Sequence, residues 1–270
     1  MTAHAISRDG TRIAYERSGS GPALILVDGA LCSRAFGPSA KLVRELASSF
    51  TVYRYDRRGR GESGDTQPYD TSREVEDLSA LIDTAGGSAV LLGLSSGGTL
   101  ALEAAASKLS VAAVIAYEPP YVQEQAGGNG TAHDAFLRRL ISSGDRGGAV
   151  TYFMKDMVGA PAIVPIMMRL FFWVWPKLVA VAHTLPYDAA VMTGFRVPRT
   201  RFATITTPVL VLNGSKTDVR LKAAARALAQ TIPGSEHAEL AGQTHNVNTR
   251  VLATAAHRFL DGLHAFHHHS

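Results

Sequence analysis

Four short, largely apolar runs, at residues 23–27, 51–55, 89–92 and 111–116, constrain this chain more than any other feature. They are continuous rather than alternating, and a strand that does not alternate must be covered on both faces. Helical patterns separate them. Residues 38–48 carry Leu42, Val43 and Leu46, and residues 71–85 carry Val75, Leu78, Leu81 and Ile82, the second pattern opening on Thr71 and Glu74 as a capping box. Residues 97–107 supply a further helix. Parallel strands need crossover helices, so the alternation predicts a mostly parallel, doubly wound α/β sheet. Ahead of it, Asp9-Gly10 between residues 3–7 and 11–17 predicts an antiparallel hairpin. The same rhythm returns with a strand at 209–212, a helix at 221–231, a short strand at 238–240 and a closing helix.

Between these halves the rhythm breaks, into a Gly/Asn stretch at 127–130 and helix-like segments rich in Met, Phe and Trp. The pattern predicts one core, residues 1–120 and 202–270, carrying an inserted helical cap at 121–201. With 46% hydrophobic and 19% charged residues in 270, the chain has ample material for a core. The net charge of +4 comes from scattered basic residues, so nucleic acid is not the implied partner. Residues 162–182 are long and apolar enough to suggest a membrane span, but Pro165, Arg169, Pro176 and Lys177 interrupt them; they are read as cap, and no membrane partner is expected. The single Cys32 excludes an intramolecular disulfide and paired-cysteine zinc sites, and is read as a small buried side chain. The N-terminus lacks a basic and apolar leader, which predicts a cytoplasmic protein. His267, His268 and His269 receive no function, and no metal site is expected.

Chemistry enters at Gly93-Leu94-Ser95-Ser96-Gly97-Gly98, which follows an apolar strand and precedes a helix. That is the context of a G-x-S-x-G nucleophile elbow, where a sharp turn exposes the hydroxyl and glycines on either side remove clashing Cβ atoms. Of the two serines, Ser95 alone has glycine at both −2 and +2, and it is the candidate nucleophile. A phosphate loop is excluded, since the run is neither G-x-G-x-x-G nor Lys-terminated.

With this elbow and the segment Tyr55-Asp56-Arg57-Arg58-Gly59-Arg60-Gly61-Glu62-Ser63, the chain resembles the α/β-hydrolase family over nearly its whole length. The resemblance implies a triad in the chain order nucleophile, acid, histidine. His245, in Gly242-Gln243-Thr244-His245-Asn246 between the last short strand and the last helix, is the candidate base; His237, His257 and His264 fall in strand or helix patterns. Two carboxylates compete to be the acid. Asp218 follows the strand at 209–212, where the family usually carries it, but one residue further from Gly214 than usual. Glu118, in Ala116-Tyr117-Glu118-Pro119-Pro120, follows the preceding strand and is preferred, because zearalenone lactonases within the family place a glutamate there and share the Ser-Ser-Gly elbow. Asp218 stays as the alternative.

Those lactonases also share Asp28-Gly29 where most of the family has His-Gly. The resemblance implies an oxyanion hole from the backbone N–H of Gly29 or Ala30 together with that of Ser96. Asp28 and Leu31 of this loop, and Trp173, Trp175, His183 and Tyr187 of the cap, are the expected pocket residues. These features predict a cofactor-independent serine hydrolase that cleaves a carboxylic ester or lactone of an apolar or aromatic small molecule through an acyl-enzyme. C–C bond hydrolysis or a lyase reaction on the same fold, and a ligand-binding degenerate hydrolase, are the alternatives.

Overall fold

The protein is described by a computed structural model covering residues 1–122 and 130–267. Of the Gly/Asn stretch at 127–130 only Gly130 falls within these residues, and His268 and His269 fall outside them.

Each apolar run forms a strand whose successive side chains enter opposite cores. The hairpin joins β1 (Ala3–Ile6) to β2 (Arg12–Ser18). In β3 (Ala23–Val27), Leu24 and Leu26 face one core while Ile25 and Val27 face the other. The division repeats in β4 (Thr51–Tyr55), β5 (Ala89–Leu94) and β6 (Val111–Tyr117), as with Leu91 against Leu92 and Val114 against Ile115. β7 (Val209–Gly214) and β8 (Glu236–Leu240) complete an eight-stranded sheet of order β1-β2-β4-β3-β5-β6-β7-β8. Pairing is antiparallel from β1 to β2 and from β2 to β4, and parallel everywhere else.

In chain order the core helices before the insertion are α1 (Ser39–Leu46), α2 (Thr71–Thr84) and α3 (Ser96–Ala106). The chain between β6 and β7 holds α4 (Gly130–Ser142), α5 (Arg146–Tyr152) with a π-helical turn at Phe153–Met157, α6 (Ile163–Leu170), α7 (Trp175–Val181), α8 (Leu185–Val191) and α9 (Arg199–Phe202). Two helices follow, α10 (Val219–Thr231) and α11 (Thr249–His267). Leu78 of α2, Leu100 of α3 and Leu228 of α10 cover one face of the sheet; Leu42 of α1 with Leu252 and Phe259 of α11 cover the other. The inserted helices have an apolar cluster of their own around Leu137, Val150, Leu178, Val181 and Leu185, into which Leu31 of the core inserts.

The start of α2 departs from the expected capping box. Asp70, not Thr71, is the N-cap, its carboxylate accepting from the Ser72 N–H at 2.8 Å. Glu74 is consequently released from capping and turns inward, fully buried, to meet Arg57. Among the described residues no single helix is long and apolar enough to cross a membrane; α6 and the segment from α7 to α8 pass by length and composition only as a pair bent by 110°.

β3 has β4 on one side and β5 on the other, so the winding direction reverses between β3 and β5 and a crevice opens at their carboxyl ends. Val27 pairs with Gly93, which sets the loop after β3 beside the turn after β5. Contact there is too close for side chains. A Cβ on Gly97 would overlap the Val27 carbonyl oxygen and lie 2.7 Å from that of Asp28, and one on Gly29 would lie 2.9 Å from the Leu94 carbonyl oxygen. Because those neighbours are backbone atoms that cannot swing aside, Gly97→Ala is expected to cost at least about 2 kcal/mol in urea unfolding.

Candidate active site

Ser95 joins β5 to α3 with φ 53° and ψ −125°, a conformation unusual for a residue with a Cβ. Backbone bonds hold it there: its N–H donates to Tyr117 O at 2.8 Å, and its carbonyl accepts from the Gly98 N–H at 2.9 Å and the Thr99 N–H at 3.2 Å. The strained turn presents Ser95 to a cavity of about 280 Å³ that His245 also lines. The cavity walls are largely apolar, with Phe153, Met157, Val158, Met192 and Phe195 from the inserted segment and Leu221 from α10.

His245 and Glu118 meet directly, Nδ1 to Oε2 at 2.7 Å. The Glu118 carboxylate is fully buried, and Glu118 itself lies at φ 48°, pinned by its N–H donating to Leu212 O. Oε1 accepts from the Gly214 N–H at 2.8 Å, and Oε2 accepts a second bond from Thr217 Oγ1 at 3.0 Å. An ionised carboxylate only accepts, so the His245 ring carries its proton on Nδ1 and leaves the Nε2 lone pair free. The loop bearing His245 is tied down by Tyr117, whose hydroxyl donates to Thr244 O at 2.5 Å. The structure thus brings Ser95 and His245 to one cavity, with the Glu118 carboxylate behind the imidazole. Asp218 lines that cavity too, but its carboxylate does not reach His245. It caps α10 through the Arg220 N–H and holds the Arg220 guanidinium with two bonds of 3.0 Å, which keeps its carboxyl below the ordinary range.

Among the described residues the N–H groups of Gly29, Ala30 and Ser96 have no acceptor, while the Gly29 carbonyl and the Ser96 hydroxyl beside them are engaged. Arg60 Nη1 donates to Gly29 O at 2.6 Å, and Arg57 Nη1 approaches Asp28 O at 3.4 Å. Ser96 Oγ donates to Asp188 Oδ1 at 2.8 Å. Asp188, from α8, also accepts from Arg57 Nη1 and Arg60 Nη2, each at 2.7 Å. Arg57 completes the network by a bidentate pair with Glu74, at 2.6 and 2.7 Å. Burial opposes ionisation of Asp188, but the Arg60 and Arg57 guanidiniums outweigh it and hold its carboxyl below the ordinary value. This network was not anticipated from sequence. Its signal was there: Asp188 is the lone acidic residue between Asp156 and Asp218, opposite an arginine-rich turn after β4.

The expected pocket residues are placed elsewhere. Trp173 lies exposed on the turn after α6, edge-on to Phe172 at 4.7 Å, and Trp175 packs against Gly147 beneath the Arg169 guanidinium. Tyr187 faces the core loop, stacked on Tyr69 at 3.8 Å with its hydroxyl bonded to Asp65 and Gln67. His183 is half-buried away from the cavity, and burial lowers its pKa. Leu31 belongs to the core of the inserted helices. Helix phase explains the error: the large aromatics of this segment sit on its outer turn, and the cavity is walled instead by the π-helical turn and the residues just after α8. Asp28 is fully buried under the loop with neither oxygen hydrogen-bonded among the described residues. Burial pushes its carboxyl up to about 6, against the opposing pull of Arg60. Burial, with Asp28 nearby, also pushes the Cys32 thiol up to about 12, which leaves it no nucleophilic thiolate at neutral pH.

A strained serine facing a histidine with a buried carboxylate behind it, on a sheet of this order, defines the hydrolase class built on the α/β fold. The sequence profile of the alpha/beta hydrolase family matches residues 19–260, and the chain belongs to that family. It is 30% identical, over 92% of its length and 96% of the relative's, to the pimeloyl-[acyl-carrier protein] methyl ester esterase of Stenotrophomonas maltophilia. An esterase of the same name from Xanthomonas campestris is 29% identical over 91% of this chain and 97% of its own. An alpha/beta hydrolase from Sphaerobacter thermophilus superposes with a TM-score of 0.89 at 46% identity, covering 96% of this chain and all of the other. A hydrolase from Pseudomonas aeruginosa shares the fold, with a TM-score of 0.77 at 23% identity over 96% and 98% of the two chains.

Two outcomes follow from the buried charges. Asp188→Ala leaves two guanidiniums short of a partner in the interior and is expected to cost about 3–5 kcal/mol in urea unfolding. Asp28 titrates higher in the folded protein than its unfolded value near 3.9, so its ionised form opposes folding. Wild type should therefore lose stability relative to Asp28→Asn between about pH 4 and pH 7, by up to about 3 kcal/mol. Paired unfolding curves at the two pH values check the sign.

Proposed function

We propose that this protein is a serine hydrolase that cleaves a carboxylic ester or lactone of a largely apolar small molecule through an acyl-enzyme. The observation that carries the reading is the 2.7 Å contact of His245 Nδ1 with a fully buried Glu118 carboxylate, itself fixed by the Gly214 N–H and Thr217. A carboxylate so held keeps the imidazole in the tautomer that can accept a proton at Nε2, and stabilises the imidazolium that then forms. Ser95 Oγ attacks the substrate carbonyl and gives its proton to His245. The tetrahedral oxyanion accepts from the N–H of Ser96 and of Gly29 or Ala30, where the positive end of α3 favours negative charge. His245 then protonates the departing alkoxide, and a water activated by the same imidazole releases the acyl group from Ser95. The inserted helices act as the cap, supplying the apolar wall that shields the reaction from bulk water.

Esterase names among the relatives support ester cleavage. The lactone half of the reading is supported by the likeness to zearalenone lactonases, in the glutamate after β6 and in Asp28-Gly29. On this reading Asp218 has no part in proton transfer. Intact-mass measurement after fluorophosphonate treatment should show one adduct on wild type and none on Ser95→Ala. With an activated ester, Glu118→Gln should lower kcat by roughly three to four orders of magnitude. Asp218→Asn, which only loosens a half-exposed ion pair, should stay within about fivefold. If Asp218→Asn abolished turnover and Glu118→Gln did not, the assignment of the acid would be wrong.

A further inference from the structure

The charges around the cavity do not balance. Asp218 and Arg220 neutralise each other through two bonds of 3.0 Å. Glu118 is committed to His245, Gly214 and Thr217 behind the cavity wall. Lys222, on the next turn of α10, donates to Ser215 O and lies 3.7 Å from Glu239. Lys216 lines the same cavity as Ser95 and His245, yet its ammonium makes no hydrogen bond or ion pair among the described residues. Its backbone, by contrast, is held firmly. The Lys216 N–H donates to Gln243 O at 2.8 Å, on the loop that carries His245, and its neighbour Thr217 donates to Glu118. The stem of Lys216, an exposed residue that lines the cavity, therefore starts from a fixed point beside the catalytic groups and carries a positive charge with no partner among the described residues.

We propose that Lys216 is a specificity-determining residue, and that the substrate is an ester or lactone bearing a single carboxylate, which pairs with the Lys216 ammonium while its apolar portion fills the cavity. The proposal rests on the hydrolase reading and narrows its substrate class. A monoanion is favoured over a phosphate because one ammonium with three donors matches one negative charge. A phosphate dianion calls for more cation than this cavity has free. Lys216 is exposed, so the pair forms where the cavity meets solvent, and a charge-assisted hydrogen bond there, beside apolar walls, contributes more than an isolated surface ion pair.

The test compares three p-nitrophenyl esters of similar length, ending in methyl (pentanoate), carboxylate (hydrogen glutarate) or phosphate, on wild type and on Lys216→Ala, Lys216→Arg and Lys216→Glu. Wild type should favour the carboxylate over the methyl ester by roughly 10- to 100-fold in kcat/KM. Lys216→Ala should erase that preference while leaving the methyl ester within about twofold, Lys216→Arg should retain most of it, and Lys216→Glu should invert it. Binding of the same esters to Ser95→Ala, with and without Lys216→Ala, reads the pairing by calorimetry without turnover. A carboxylate preference in binding without any turnover would overturn the hydrolase reading and leave the lysine's role standing. Turnover with no preference, or with one that Lys216→Ala does not change, would overturn the proposal, as would a Lys216-dependent preference for the phosphate.

Discussion

The carboxylate of Asp188 sits fully buried between two guanidiniums, and much of the architecture around the crevice follows from that placement. A charge removed from water is tolerated only when partners replace the lost hydration with good geometry. Here Arg57 and Arg60 oppose Glu74 and Asp188, two positive charges against two negative, with the guanidinium and hydroxyl contacts to Asp188 and Glu74 between 2.6 and 2.9 Å. The four residues come from three parts of the chain: the turn after β4, α2 and α8. Satisfying the charges therefore forces the inserted helices down onto the core. It also explains the anomaly of Asp28. The nearby guanidiniums are already matched, so a third carboxylate in the same region pairs with none of them, and burial raises its pKa.

The same arginines reach the two segments that carry the proposed oxyanion donors. Arg60 holds the carbonyl of Gly29, and Asp188 holds the hydroxyl of Ser96. Preorganised donors stabilise developing charge because they need not reorient when it appears. Rigidity in this fold comes less from the loops themselves than from the buried ionic lattice beneath them. The lattice in turn depends on Glu74, which is free for Arg57 because Asp70 does the capping.

The position of the acid shows how neighbouring parallel strands can exchange a function. β6 and β7 pair in register from Val114 with Val209 to Tyr117 with Leu212, so the residue after Tyr117 emerges alongside the start of the loop after β7. Glu118 supplies the carboxylate from the first strand, and Gly214 and Thr217 supply donors from the second. Thr217 stands three residues after Gly214, where the family usually carries its acid. What a loop one residue longer does to Asp218 is to carry it outward onto the helix cap, where Arg220 takes it.

The strands, the crossover helices and the strained elbow were legible in the chain itself, because each depends on local repetition: unbroken apolar runs, helical spacing, and glycines flanking Ser95. The histidine loop was legible for the same reason, as a short segment between a strand and a helix. For the acid the residues left two candidates and only the resemblance to the lactonases put Glu118 first, since the choice depends on register between strands that are about ninety residues apart in sequence. The cavity wall and the Asp188 lattice belong wholly to the tertiary structure. Which face of an apolar helix turns inward is decided by what it packs against, and an aspartate in an apolar stretch acquires its meaning only when two arginines from the other half of the fold arrive beside it.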